Sequence, residues 1–138
     1  MIRVVVDCNV WIMCLTSKSP YHKIYKNFIE GKFCISITNE ILLEYEEIIQ
    51  QKYGITTAAT FVSLLRELPN VVFTDIWYQW NLIEVDKDDN KYIDCAIATQ
   101  ADNIVTQDNH FSILDTITFP KVSYCSIDEF MEIIDKLN

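Results

Sequence analysis

Ile2-Arg3-Val4-Val5-Val6-Asp7-Cys8-Asn9-Val10 is the stretch on which the fold turns. Four of its first five residues, all but Arg3, are β-branched and apolar, and they fall on both faces of a would-be strand, the pattern of a central parallel strand covered by helices on each side. An aspartate follows at once. In an open parallel sheet, ligands bind outside the carboxyl ends of the strands, so Asp7 stands where a binding or catalytic group would stand. An acid directly after a buried strand is also costly unless it is hydrogen-bonded or liganded.

Downstream, strands and helices alternate. Tyr21 to Glu30 places Ile24, Tyr25, Phe28 and Ile29 at helical spacing, with Gly31 as the stop, and Phe33 to Ile37 reads as the second strand. Thr38 is a good N-cap for a helix carrying Ile41, Leu42, Tyr45, Ile48 and Ile49 on one face and ending near Gly54. Thr56 to Leu68 forms another amphipathic helix, which Pro69 breaks. Val71 to Phe73 and Leu82 to Val85 are short extended candidates, the second either a strand or a loop. Asp89 opens a helix with Tyr92, Ile93, Ala96 and Ile97 inward, Asn103 to Thr106 is a strand that delivers Asp108, and Val122 to Cys125 is the last strand. Ser126 then caps a helix carrying Phe130, Ile133, Ile134 and Leu137. This alternation implies right-handed crossovers and a mostly parallel sheet in a three-layer α/β/α sandwich, with residues 1–138 as one domain.

Composition sets limits on the function. Half of the 138 residues are apolar and no stretch is of low complexity, so a packed core is expected despite a formal charge of -9. Twenty Asp and Glu against eleven Lys and Arg oppose the basic footprint usual for nucleic-acid binding, unless several acids are pooled in one cation-binding pocket. The five cysteines, at 8, 14, 34, 95 and 125, show no paired spacing and fall mostly in apolar runs, which reads as free buried thiols rather than disulfides or zinc ligands. No signal-peptide pattern or membrane-length apolar run is visible, so a cytoplasmic location is expected.

The acids fall at the strand ends. Asp7 and Asn9 follow the first strand, Thr38 and Glu44 the second, and Thr106 and Asp108 the Asn103 strand, while the helix beginning at Asp88 and Asp89 can aim Asp89 or Asp94 at the same edge. Two carboxylates ~4 Å apart repel by about 4 kcal/mol at an effective dielectric of 20, so such a cluster needs protons or cations. An oxygen-only ligand set favours Mg²⁺ or Mn²⁺. One or two such ions suit phosphodiester cleavage by an activated water.

The segments V-V-V-D-C-N-V at 4–10, I-T-N-E-I-L-L-E at 37–44, D-D-N-K-Y-I-D-C-A at 88–96 and I-V-T-Q-D at 104–108 resemble, in order, the signatures of the PIN domain. They are similar in particular to its bacterial branch of toxins from toxin-antitoxin pairs. The resemblance implies a Mg²⁺- or Mn²⁺-dependent endoribonuclease of the three-layer fold, commonly dimeric, with RNA as substrate and an antitoxin protein as partner. It also implies residue roles. Asp7 becomes the central metal ligand, with Asn9 second to it or facing substrate. Glu44 is the second acid, and Asp108 the last, supported by the Thr106 hydroxyl. Either Asp89, which fits the D-N-K opening, or Asp94, one turn beyond Asn90, is the third.

Plainer readings exist for each position. Glu44 shares its helix with Glu40, Glu46 and Glu47, and most helical glutamates are solvated. Asp89 could be only a helix cap, Asp94 could pair with Lys91, Asp108 could start a turn, and Asp88 reads as solvated or capping. His110 reads first as a surface residue. Trp11, Trp77 and Trp80 read as core or dimer-interface aromatics, and Lys23, Lys26, Lys32 and Lys121 as scattered phosphate contacts. Two rival functions remain. A haloacid-dehalogenase-like phosphatase also begins with a strand and an aspartate, but needs a second Asp where this chain has Asn9. A non-catalytic module would hold a cation or a basic peptide in the same acid pocket.

Overall fold

The computed structural model describes residues 1–138. Five strands, β1 (Arg3–Val6), β2 (Cys34–Ile37), β3 (Val71–Phe73), β4 (Asn103–Val105) and β5 (Tyr124–Cys125), form one sheet in the order β3-β2-β1-β4-β5. Every neighbouring pair is parallel. The helices are α1 (Cys8–Cys14), α2 (His22–Ile29), α3 (Asn39–Tyr53), α4 (Ile55–Glu67), α5 (Asn90–Thr99) and α6 (Ile127–Leu137), with 3-10 segments at Lys87–Asp89 and Asn109–Thr116.

β1 is central because its residues can be: Val4, Val5 and Val6 are fully buried, each such side chain stabilising by roughly 1.5–3 kcal/mol. From β1 the chain steps outward to β2 and β3, then returns across β1 to β4 and β5. Right-handed crossovers carry the first two connections over one face and, after the reversal, α5 over the other, giving the expected three layers. The reversal puts the switch point between the carboxyl ends of β1 and β4, where a crevice opens in such sheets. Asp7 and Thr106 are the first residues beyond those two ends.

Thirty-two buried apolar residues form one core cluster. Trp11 anchors it on the α1 side, with ring centroids 5.3 Å from Phe28 and 5.1 Å from Phe61. Trp77, in contrast, is exposed. Two buried contacts steady the end of β1: the Tyr45 hydroxyl of α3 donates to the Val6 carbonyl, and the Asp7 amide donates to the Val105 carbonyl at 2.9 Å. All five cysteines are free, and burial pushes the thiols of Cys8, Cys14, Cys95 and Cys125 up to about 12, so they stay protonated. No helix is long and apolar enough to cross a membrane.

The helix caps follow the sequence. Thr38 accepts from the Ile41 amide, and Ser126 and Glu129 form a reciprocal capping box. Three local features complete the reading above. α1 starts directly after Asp7, in a stretch that sequence periodicity does not mark as a helix. Of the two options for Leu82 to Val85 the loop is the one formed, because the Asn90 side chain takes up its pairing: Asn90 Oδ1 accepts from the Ile83 amide at 2.9 Å and Asn90 Nδ2 donates to the Ile83 carbonyl at 2.8 Å. The residues after Asp108 wind into a 3-10 helix rather than a simple turn.

Candidate active site

Asp7 occupies the N-cap position of α1, and its residue is only 6% exposed. Its Oδ2 accepts from the Thr106 hydroxyl at 2.8 Å, and the same hydroxyl oxygen accepts from the Asp108 amide at 3.0 Å. One buried threonine therefore ties the acid after β1 to the acid after β4. Burial raises the Asp7 carboxyl above the ordinary range, the Thr106 bond lowers it, the charge of Glu44 raises it, the nearby Asn9 amide lowers it and the charge of Asp108 raises it, for a net increase. Asp7 thus lies within the field of both other acids. Without a cation the pocket favours a proton there; a hard cation relieves the same strain.

On the α3 side, Glu44 is held at both oxygens. Tyr92 donates its hydroxyl to Oε1, and Lys91 Nζ lies 2.8 Å from Oε2. The Tyr92 oxygen also accepts from the Cys8 amide at 3.3 Å, which links Glu44 to the backbone beside Asp7. Burial drives the Tyr92 phenol far upward, reinforced by neighbouring acids, so it stays a proton donor. For Lys91, burial pushes the ammonium pKa down, but Glu44 and Asp88 more than offset this and the net change is upward.

The third corner holds Asp89. The segment Lys87–Asp89 is a 3-10 turn capped by the Asp86 side chain, which accepts from the Asp88 amide. Asp89 makes no capping bond to α5. Instead, His110 Nδ1 lies 3.3 Å from both Asp89 Oδ2 and Asp108 Oδ1. His110 is therefore not simply a surface residue: the Asp108 carboxylate, which also accepts from the His110 amide at 2.8 Å, fixes its backbone, and its ring bridges two acids. Asp86, Asp89 and His110 each offer a ligand atom, all within 4.8 Å of one another. Burial raises the Asp89 carboxyl to about 7, with His110 lowering it and the Asp108 and Asp86 charges raising it further.

Asp94 faces elsewhere. Its Oδ1 accepts from the Trp80 amide at 3.1 Å; burial raises its carboxyl, that bond lowers it and the charge of Glu40 raises it. Nor does it pair with Lys91, which the sequence left open, since Lys91 reaches Glu44 and Asp88 instead. Asp88 is largely solvated, and Asn9 is exposed. Among the candidates, then, Asp7, Glu44, Asp89, Asp108 and Thr106 are brought to one edge.

Lys91, Tyr92 and Asp86 are not singled out as site residues by the sequence, and His110 reads there first as a surface residue. Lys91 carried a usable signal, because a lysine in the first turn of a helix runs against the helix dipole and calls for a special partner. Asp86 completes an acid run, 86, 88 and 89, too dense to be only a cap. The imidazole modifies the expected all-oxygen ligand set, yet the carboxylates still dominate and fit a hard divalent ion.

A cleft of about 260 Å³ lined by Thr106, Gln107, Asp108, Asn109 and Ser126 opens beside the acids. It meets the candidate residues only at Thr106 and Asp108, and a larger hollow of about 710 Å³ by Leu114, Thr118 and Lys121 meets none of them. No basic stripe borders the site, and Lys23 is paired with Asp135.

The family model of the PIN domain matches residues 3–110. Among solved structures, the Mycobacterium tuberculosis toxin VapC20, described as cleaving the Sarcin-Ricin loop, is similar with a TM-score of 0.57 and 14% identity, covering 79% of this chain and 92% of its own. VapBC2 from Rickettsia felis, solved bound to a DNA fragment from its promoter, is similar with a TM-score of 0.61 and 13% identity, covering 91% and 98%. No curated protein matches in sequence.

Proposed function

The chain belongs to the PIN-domain family, a family of nucleases, and from that premise we propose that it is a Mg²⁺- or Mn²⁺-dependent endoribonuclease acting as the toxin of a toxin-antitoxin pair. The observation that carries the reading is the Thr106 hydroxyl joining Asp7 to Asp108 at the β1–β4 switch point, with Glu44 and Asp89 closing on the same edge. Asp7, Glu44, Asp89 and Asp108 would hold the divalent ion. Bound there, it would supply Lewis-acid polarisation of the scissile phosphate and acidify the attacking water.

This chain's own residues do the rest. Thr106 fixes the rotamer of Asp7, the backbone amides after Asp7 and Asp108 limit how far their carboxylates swing, and exposed Asn9 faces the substrate side. Asp89 is preferred to Asp94 as the third acid, because the Asp94 carboxylate is engaged by the Trp80 amide. No side chain is needed as a covalent nucleophile, since the carboxylates are committed to the cation.

RNA as substrate, a homodimer, an antitoxin partner and a cytoplasmic site of action belong to the same proposal. Support for the partner comes from VapBC2, and the charge of -9 suits a basic protein partner. The phosphatase reading has no support from the family, and Asn9 leaves it without its second acid.

Incubation of the purified protein with RNA in Mn²⁺, in Mg²⁺ and in chelator tests the proposal. Cleavage is expected with either metal, and is expected to be lost in chelator and in Asp7→Asn. Cleavage that survives both treatments would overturn it, whereas calorimetric Mn²⁺ binding with no cleavage of any RNA would favour the cation-binding module.

A further inference from the structure

Glu44 is gripped at both ends, and one of the grips is a cation. The Lys91 ammonium has an oxygen for each of its three donors: Glu44 Oε2 at 2.8 Å, the Asp88 carbonyl at 2.9 Å and Asp88 Oδ1 at 3.2 Å. Its side chain is only 6% exposed. The opposite oxygen of Glu44 is held by Tyr92, itself anchored to the Cys8 amide next to Asp7. Local sequence does not favour this arrangement, because Lys91 stands in the first turn of α5, where the free amides repel a cation. A carboxylate with one cation on one oxygen keeps lone pairs free for another, and a carboxylate between two cations is the layout of a two-cation phosphodiester site. Here the cation already in place on Oε2 is the Lys91 nitrogen.

We propose that Lys91 is the resident second cation of the acid cup, so that Glu44 bridges between its ammonium and a single divalent ion on the Asp7 side, and no metal enters beyond Glu44. This rests on the reading that a divalent ion binds at Asp7. Lys91 acts through Glu44 and is a positioning residue: it holds the carboxylate in place and supplies positive charge without the need to recruit a metal there. Asp89 and His110 lie on the other flank, with Asp108 and away from Lys91, so what they contribute to ion binding leaves the argument unchanged.

The test counts ions, with Mn²⁺ alone as the probe and the full chain in every sample. Calorimetric titration of wild type, Lys91→Gln, Lys91→Arg and the double variant Lys91→Gln/Glu44→Gln is expected to give one more Mn²⁺ in Lys91→Gln than in wild type. Lys91→Arg keeps the wild-type count, and the double variant returns to it, which a merely structural lysine would not produce. RNA cleavage falls about tenfold or more in Lys91→Gln and partly recovers in Lys91→Arg. Equal counts in wild type and a folded Lys91→Gln overturn the proposal. Should Lys91→Gln fail to fold, the paramagnetic resonance spectrum of wild type decides: a spin-coupled Mn²⁺ pair that vanishes in Glu44→Gln overturns it, and the absence of such a pair supports it. The predicted counts without RNA cleavage would retain this inference and sink the ribonuclease; cleavage with equal counts would do the reverse.

Discussion

The two flanks of the acid cup are built on opposite principles. On the Glu44 flank, charge is balanced from within: Lys91 and Tyr92 occupy both oxygens, and the lysine is buried with its charge intact. On the Asp7, Asp108 and Asp89 flank the partners are a hydroxyl, backbone amides and one half-exposed imidazole, and burial and mutual repulsion raise the Asp7 and Asp89 carboxyls. The contrast shows which flank lacks an internal counter-charge. A buried lysine stands against one acid and three neighbouring acids have none, which is the side on which the proposed divalent ion would sit.

The severest way to break the comparison is to remove the hub of the uncompensated flank. Asp7→Asn keeps the shape and a hydrogen-bonding oxygen for Thr106, yet RNA cleavage in Mn²⁺ is expected to fall about 10³-fold or more, in line with losing a group that acts only with its neighbours. At the same time the metal-free protein should gain stability near pH 7, because a buried charge repelled by Glu44 and Asp108 is gone. A variant both inactive and less stable would mean that Asp7 is chiefly structural. The contrasting change on the other flank, Lys91→Gln, should destabilise, since it leaves Glu44 buried without its cation.

The next effect is on pH. A carboxyl whose folded pKa is raised binds its proton more tightly in the folded than in the unfolded chain, so its contribution is favourable at low pH and is lost as pH climbs from near 3.8 through the folded value. For Asp89 that window closes at about 7, with Asp7 acting in the same direction. Metal-free protein should therefore lose about 1–2 kcal/mol between pH 4 and 7 from Asp89, a figure discounted for solvent screening beside the half-exposed His110 ring. Urea melts across this range measure the slope. Asp89→Asn should flatten it, and Mn²⁺ at 100 times its Kd should add about 2.7 kcal/mol at neutral pH. A slope of opposite sign would place the compensating charge on this flank after all.

Thr106→Val comes third. It takes away the donor to Asp7 and the acceptor for the Asp108 amide while conserving volume, and each unsatisfied buried group costs about 1–3 kcal/mol. Weaker Mn²⁺ affinity is expected alongside the lower melting temperature, because the two acids lose their common tether. A loss of stability with unchanged Mn²⁺ affinity would show that the tether does not shape the ion site.

Much of the fold was legible because local chemistry and burial agree. Val4 to Val6 are apolar on both faces and sit in mid-sheet, Thr38 and Ser126 cap the helices they precede, and Pro69 ends α4. Where the sequence left a stretch open, the deciding contacts are ones that periodicity does not encode. Asn90 pairs with both backbone groups of Ile83 and so frees Leu82 to Val85 from any strand. α1 is apolar on nearly every side, Cys8, Val10, Trp11 and Cys14 all being buried, and so shows no contrasting polar face. In the candidate site the strand-end acids could be located from their position alone. The link from Lys91 to Glu44 could not, since it joins an acid in α3 to a lysine in α5 that only tertiary structure brings within 2.8 Å.

The smallest predicted effect settles the ambiguity that sequence left between Asp89 and Asp94. Both lie at the start of α5 or within it, and a helical rotation decides which carboxylate reaches the crevice. In this fold the turn Lys87–Asp89 directs Asp89 toward His110 and Asp108, whereas Asp94, five residues on, accepts from the Trp80 amide and lies in the field of Glu40. Asp94→Asn retains an oxygen for that amide and relieves a buried charge, so cleavage should stay within about threefold of wild type and stability should change by less than about 1 kcal/mol. Asp89→Asn, by contrast, should weaken Mn²⁺ binding and slow cleavage by about tenfold or more. If the order were reversed, with Asp94→Asn the more damaging, the uncompensated flank would extend around α5 to the Trp80 loop. The division between a self-neutralised and a metal-dependent side would then have to be redrawn through the helix rather than across the cup.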